Sequence, residues 1–134
     1  MTSNVVYLGG LRTQCTHIRS GNTFITDAPT DNNGKGEAFS PTDTVATALA
    51  SCMLTVMGIK AATMEVDLLD ASAEVIKHMS ASPRRISKIE VALKLPSSIK
   101  AKDRKVLENT ARTCPVIQSL HPDIIKDIEF QWEL

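Results

Sequence analysis

The chain has 134 residues, room for one domain with a real core and too little for two comfortable ones. Fifteen Lys and Arg balance fifteen Asp and Glu, which excludes a general attraction to nucleic acid or anionic membrane and leaves little repulsion between copies. Three cysteines, an odd number, argue against a secreted disulfide scaffold and make the cytoplasm the default compartment.

Val5 to Leu8 is rich in strand formers, and Gly9-Gly10 predicts a turn or bulge after it. Arg12 to Arg19 has no clean apolar face. Phe24 and Ile25 mark a further short strand after the turn signal Ser20-Gly21-Asn22. Asp27 to Gly36 reads as a loop, dense in Asp, Asn, Gly and Pro. Gly34-Lys35-Gly36 lacks the spacing and the Lys-Ser/Thr ending of a phosphate loop and reads as a flexible turn.

A helix is predicted from Ser40 to about Ala62, with Ser40 as cap, Pro41 at the first position and Asp43 three residues after the cap. From Thr44 to Ile59 no residue is charged, yet Thr44, Thr47, Ser51 and Thr55 make the run too short and too polar for a bilayer span. Val45, Ala48, Leu49, Cys52, Val56 and Ile59 share one face, and other faces are apolar too, so the helix is expected to be buried nearly all round. Thr47, Ser51, Thr55 and Gly58 form a stripe of small residues that would let another helix approach closely.

Ala71 to Met79 is a predicted strand, and Ile89, Val91, Leu93 and Leu95 alternate with Glu90, Ala92 and Lys94 as a half-buried one. A second helix covers Ala101 to Thr113 and must break at Pro115, with a short helical turn to Leu120. Ile128, Phe130, Trp132 and Leu134 alternate in a closing strand. Strand blocks that do not alternate singly with helices favour α+β with antiparallel sheet, in a single domain.

The chemistry lies in the thiols. Cys52 is twelve residues past the helix cap, too far for the positive end of its own helix to favour the thiolate. It is either an inert core residue or a shielded nucleophile that draws on a cation from elsewhere. Cys114 precedes Pro115 and would cap the next turn, with free N–H groups near its sulfur to favour the thiolate. A pair of this kind points to one peroxide-attacking and one resolving cysteine, or to two structural residues. Cys15, with little apolar support, reads as incidental. His17, His78 and His121 are scattered, no zinc spacing occurs, and no Gly-x-Ser-x-Gly elbow is present.

Gly36-Glu37-Ala38-Phe39-Ser40-Pro41-Thr42-Asp43, Ala48-Leu49-Ala50-Ser51-Cys52-Met53 and Cys114-Pro115-Val116 together resemble the OsmC/Ohr family of osmotically inducible and organic hydroperoxide resistance proteins, and its OsmC-like branch above all. The resemblance covers nearly the whole chain as a single domain, 1–134. It implies antiparallel sheets wrapped around long buried helices in an intertwined homodimer, with active sites at the subunit interface. It implies a cofactor-free, cytoplasmic thiol peroxidase for organic hydroperoxides and, less efficiently, hydrogen peroxide. Cys52 would be the attacking cysteine and Cys114 the resolving one, with a dithiol, such as protein-bound lipoyl, as reductant. Family enzymes support the thiolate with an arginine held by a glutamate. The family glutamate usually follows the proline that starts the helix, and here Thr42 holds that position. Glu37 is then expected to hold the arginine, with Asp43 the alternative. Arg19, on the strand parity of Cys15 and His17, is expected over Arg12 as that arginine. The rival reading is a non-catalytic module that binds a small apolar ligand at the dimer interface, which the missing glutamate favours.

Overall fold

The computed structural model describes all residues, Met1–Leu134. Its internal contacts group the chain into two compact units, Met1–Val45 and Ala46–Leu134, and the boundary falls inside a helix.

The first unit is an antiparallel sheet of β1 (Ser3–Gly9), β2 (Arg12–His17) and β3 (Thr23–Asp27), in the order β1-β2-β3. The β2–β3 turn is closed by His17 N–H to the Asn22 carbonyl at 2.8 Å, and by a 2.6 Å contact between His17 Nδ1 and Ser20 Oγ. That turn fixes the register, so Cys15 lies opposite Phe24 and Arg12 opposite Asp27. Val5, Tyr7 and Phe24 project on one face and Val6 and Ile25 on the other, and all of them are exposed. The segment after β3 is less loose than its composition implies. A Cβ on Gly34 would lie 1.7 Å from the Ala28 carbonyl oxygen, so only glycine allows the backbone to pass that close.

Helix α1 (Pro41–Met64) begins at the end of the first unit, two residues longer at its C-terminus than the sequence predicts. Ser40 and Asp43 cap it reciprocally, each side chain accepting the other's backbone N–H at 3.0 Å.

The second unit holds the rest of α1, β4 (Ser72–Ser80), β5 (Arg85–Leu95), α2 (Ala101–Ala111), α3 (Pro115–Ser119) and β6 (Ile125–Trp132). The strands are ordered β4-β5-β6. The β4–β5 pair is antiparallel, but β5–β6 is parallel, because α2 and α3 form the crossover between them. The fold class is α+β as expected, and the purely antiparallel sheet is not.

Alternate residues of β5 point inward: Ile89, Val91, Leu93 and Leu95 are all buried. Ile86 is buried as well, although its parity is opposite. A bulge opposite His78 and Met79 accounts for it: His78 pairs with Lys88 and Met79 with Ile86, leaving Ser87 as the extra residue. These side chains share one core with Ala46, Leu49, Ala50, Met53, Met57 and Ala61 of α1, and with Leu107, Ala111 and Cys114.

The expectation that α1 is buried nearly all round is corrected. Its buried residues recur at spacings of three and four on a single face. The opposite stripe of Thr47, Ser51, Thr55 and Gly58 is exposed, and Ile59 is 65% exposed. By length and mean hydropathy α1 could cross a membrane, but its core face is taken up by the second unit's own side chains.

Polar clasps fix the α2 end of the core. Arg104 donates to the carbonyls of Ile99 and Ser97, both at 2.6 Å, and its guanidinium lies over the Trp132 ring at 5.5 Å. Arg112 lies over Phe130 at 5.2 Å. Leu93, fully buried in mid-strand, reports on this core. Leu93→Ala is expected to lower stability by about 2–5 kcal/mol in urea unfolding, and a loss near zero would mean that this core does not hold the unit together.

Candidate functional site

The second unit brings the two predicted thiols together. Cys52 is half-buried and Cys114 fully buried, and both are free. Cys52 follows Ser51 of the exposed stripe and precedes Met53 of the core face, so it sits on the flank of α1. Each helical residue turns about 100° from the last, which places the Cys52 sulfur at the margin of the core and within reach of solvent. Cys114 caps α3. Cys52 lies close enough to act electrostatically on Cys114.

Cys114 is the cap that its place before Pro115 predicts. Its backbone is extended, Pro115 takes the first helical position, and the sulfur accepts the Ile117 N–H at 3.4 Å. The expected electrostatic consequence is overturned. Burial pushes the Cys114 thiol up from its ordinary value, more strongly than the N–H groups of Ile117 and Val116 draw it down. The proximity of Cys52 raises it further, since two neighbouring sulfurs resist ionising together. Cys114 is therefore a protonated thiol at neutral pH.

The first unit holds the arginine pair. Arg12, from β2, makes a two-pronged ion pair with Asp27, the last residue of β3: Nε to Oδ1 at 2.7 Å and Nη2 to Oδ2 at 2.8 Å. The Asp27 side chain is fully buried and that of Arg12 is 25% exposed. Asp27 Oδ2 also accepts the backbone N–H of Glu37 at 3.1 Å. That bond brings the Glu37 carboxylate to 3.8 Å from Arg12 Nη2, although the Glu37 side chain remains 67% exposed. The Arg12 guanidinium holds the Asp27 carboxyl below its ordinary value, and Asp27 raises Arg12 in return.

Arg19 does not lie on the strand as expected; β2 ends at His17, and Arg19 is exposed in the following turn. Asp43 is committed to the helix cap, and the Thr42 hydroxyl is 3.2 Å from Ser40 Oγ. Cys15 is half-buried in the first sheet, facing Val5 and Phe24 across the strands. Sequence reasoning missed Asp27, which opens a stretch of loop composition. The turn at Ser20-Gly21-Asn22 carried the signal, because a hairpin closed there pairs Arg12 with Asp27.

The sequence profile describing OsmC-like proteins matches residues 34–129. No curated protein is similar enough to count as a match. Among solved structures, the chain is 53% identical to a Psychrobacter arcticus 273-4 protein provisionally named as an osmotic stress induced and detoxification response protein; the match covers 98% of this chain and 96% of that one, with a TM-score of 0.94. An organic hydroperoxide resistance protein OsmC from Legionella pneumophila is 19% identical, over 98% of this chain and 97% of that one, with a TM-score of 0.72. An OsmC-like protein from Mycoplasma pneumoniae is 14% identical, over 96% and 94%, with a TM-score of 0.80. At those lower identities the likeness speaks for the fold alone. The profile spans more than half of the chain and includes both paired thiols, and the chain belongs to the OsmC-like family.

Proposed function

We propose that this protein is a cytoplasmic thiol peroxidase that reduces organic hydroperoxides through Cys52 and Cys114, as one domain per chain in a homodimer. The observation that carries the reading is the closeness of a half-buried thiol to a fully buried one on which it acts. The Cys52 thiolate attacks the terminal peroxide oxygen, the O–O bond breaks, and the alkoxide takes up a proton and leaves as the alcohol. Cys52 then carries a sulfenic acid. The Cys114 sulfur attacks the Cys52 sulfur, the S–O bond breaks, and hydroxide leaves as water with the Cys114 proton. An external dithiol, such as a lipoyl group, reduces the disulfide by two exchanges and becomes a disulfide itself.

Of the two arginines, Arg12 rather than Arg19 is held in a fixed orientation, and Asp27 is the carboxylate that holds it. Their two-pronged pair gives the guanidinium one orientation, and an exposed turn does not do this for Arg19. Glu37 is retained as a secondary partner of Arg12. A buried aspartate in that role also weakens the case for a purely ligand-binding module, which rested on the missing carboxylate at Thr42.

The homodimer is supported by what the single chain leaves bare. Val5, Val6, Tyr7, Leu8, Phe24 and Ile25 are exposed on a sheet with apolar side chains on both faces, and α1 exposes its small-residue stripe. Light scattering is expected to give twice the chain mass; a monomer at micromolar concentration would remove the dimer from the reading.

With a dithiol present, wild type is expected to consume cumene hydroperoxide, and Cys52→Ser to lose essentially all of that activity. Cys114→Ser should complete a single turnover and then stall with an oxidised Cys52 that mass spectrometry can trap as the dimedone adduct. Inactivity of wild type on several organic hydroperoxides, with either dithiothreitol or dihydrolipoamide, would leave the binding-module reading in its place.

Asp27→Asn is expected to lower kcat/KM by about tenfold, while Arg19→Ala stays within about twofold. Asp27 also sets a stability limb. Its folded value lies below its unfolded one, so the stabilisation is complete above about pH 4 and is lost as pH falls through the folded value. In urea unfolding, the gap between wild type and Asp27→Asn should therefore be present at pH 7 and shrink below about pH 4. A gap independent of pH would mean that the pair contributes nothing.

A further inference from the structure

We propose that the outward face of α2 is a docking surface for an acidic protein, and that this partner carries the reducing dithiol. The partner's redox role rests on the peroxidase reading; the docking surface itself does not.

α2 sets Leu107 and Ala111 into the core. At about 100° per residue, Lys102, Lys105, Asn109 and Arg112 then fall together on the side that faces away from that core, and all four are exposed. Lys100, at the helix cap, is exposed as well. The carboxylates of the helix, Asp103 and Glu108, are half-buried and flank the stripe on either side. From Lys102 to Arg112 the stripe is about 15 Å long. It ends at Thr113, the residue before Cys114.

Two observations set this stripe apart from an ordinary solvated face. First, its lysines are left without a carboxylate, while those on the sheet are paired. In the same unit Lys88 Nζ lies 3.6 Å from Asp127, and Lys94 Nζ lies 2.6 Å from Glu74. No carboxylate is within ion-pair distance of Lys100, Lys102 or Lys105. Second, the helix itself does not call for them. The first turn of a helix is its positive end and favours acids, yet Lys100 stands at the cap with no side-chain cap bond and Lys102 is the second helical residue. Folding gains nothing from cations there, and a local rule broken without structural compensation points to binding.

A face of this kind recruits the opposite charge. The chain as a whole is neutral, so the steering is local and acts on carboxylates that come within about a Debye length. An acidic protein fits the face better than nucleic acid does, because the stripe is short and α2 has no aromatic side chain on which a base would stack. A partner seated along the stripe reaches, at its C-terminal end, the residue next to Cys114. Cys114 is half of the disulfide that the dithiol must reduce.

Charge reversal at Lys102 and Lys105 provides the test. Lys102→Glu with Lys105→Glu puts acids in the first half of α2, where the helix dipole favours them, so Tm is expected to equal or exceed that of wild type. Peroxide consumption is followed at low salt with two reductants. With an acidic lipoyl domain, kcat/KM for the domain should fall about tenfold in the double variant, and with free dihydrolipoamide it should stay within about twofold. An equal loss with both reductants, or no loss with the domain, would overturn the proposal.

Binding without turnover separates the surface from the peroxidase reading. Isotope-labelled wild type is titrated with the same domain after its dithiol has been blocked by alkylation, and backbone amides are followed by NMR. Those of Lys102, Lys105, Asn109 and Arg112 should shift, less so as salt is raised and not at all in the double variant. Shifts elsewhere in their place, or none, would overturn the docking surface even in a protein that consumes peroxide. So would a single-stranded oligonucleotide that shifts these amides when the domain does not. Shifts confined to α2 in a protein that consumes no peroxide would uphold the surface and remove the peroxidase reading instead.

Discussion

The rotation of α1 about its own axis is the constraint on which the thiol site depends, and that rotation is set by burial. Ala46, Leu49, Ala50, Met53, Met57 and Ala61 share a core with the inward residues of β5. A fully buried Leu or Met contributes roughly 1.5–3 kcal/mol relative to exposure, and several on one stripe lock the helix against turning. A one-residue slip would carry Cys52 by about 100°, into the core or out to the exposed stripe. Held as it is, Cys52 is half-buried at the margin of the core, close enough to act on Cys114. The bulge at Ser87 belongs to the same constraint, because without the extra residue Ile86 would leave the core face of β5.

Cys114 illustrates two effects that oppose each other at one atom. As a helix cap it receives backbone N–H groups, which favour negative charge. As a core residue it loses solvation, which disfavours it. A 3.4 Å bond from nitrogen to sulfur is weak, and desolvation acts on the whole charge, so burial prevails. The pair is asymmetric as a result. The half-buried sulfur is within reach of solvent, and the buried one keeps its proton.

Much of this was legible in the sequence because it is local. Ser40, Pro41 and Asp43 announce the start of α1, and Cys114-Pro115 announces the start of α3. The alternation in β5 gives its buried face directly. What was not legible depends on distant parts of the chain. α1 is apolar on most sides, so composition could not say which side the core would take, and the face chosen from Val45, Cys52 and Ile59 is a flank. The parallel β5–β6 pair depends on where the crossover returns the chain, and no single strand encodes that. Asp27 was hidden for a simpler reason: as the final strand residue before a polar loop, it carries loop composition.

The Arg12 pair shows how one geometric task can move between elements of a fold. A carboxylate at the start of a helix, or one in a loop, positions an arginine only as well as that segment is held. Glu37 is mostly exposed and 3.8 Å from Arg12, so water and salt screen what it contributes. Asp27 is fully buried, opposes Arg12 in the β2–β3 register and engages two nitrogens of one guanidinium. Its position is fixed by strand hydrogen bonds rather than by loop conformation. The orientation of Arg12 therefore does not depend on a carboxylate at position 42, because strand pairing already supplies it. It also follows that changes in the 28–36 loop should disturb Glu37 well before they disturb Arg12, since only the former hangs from that loop by a single backbone bond to Asp27.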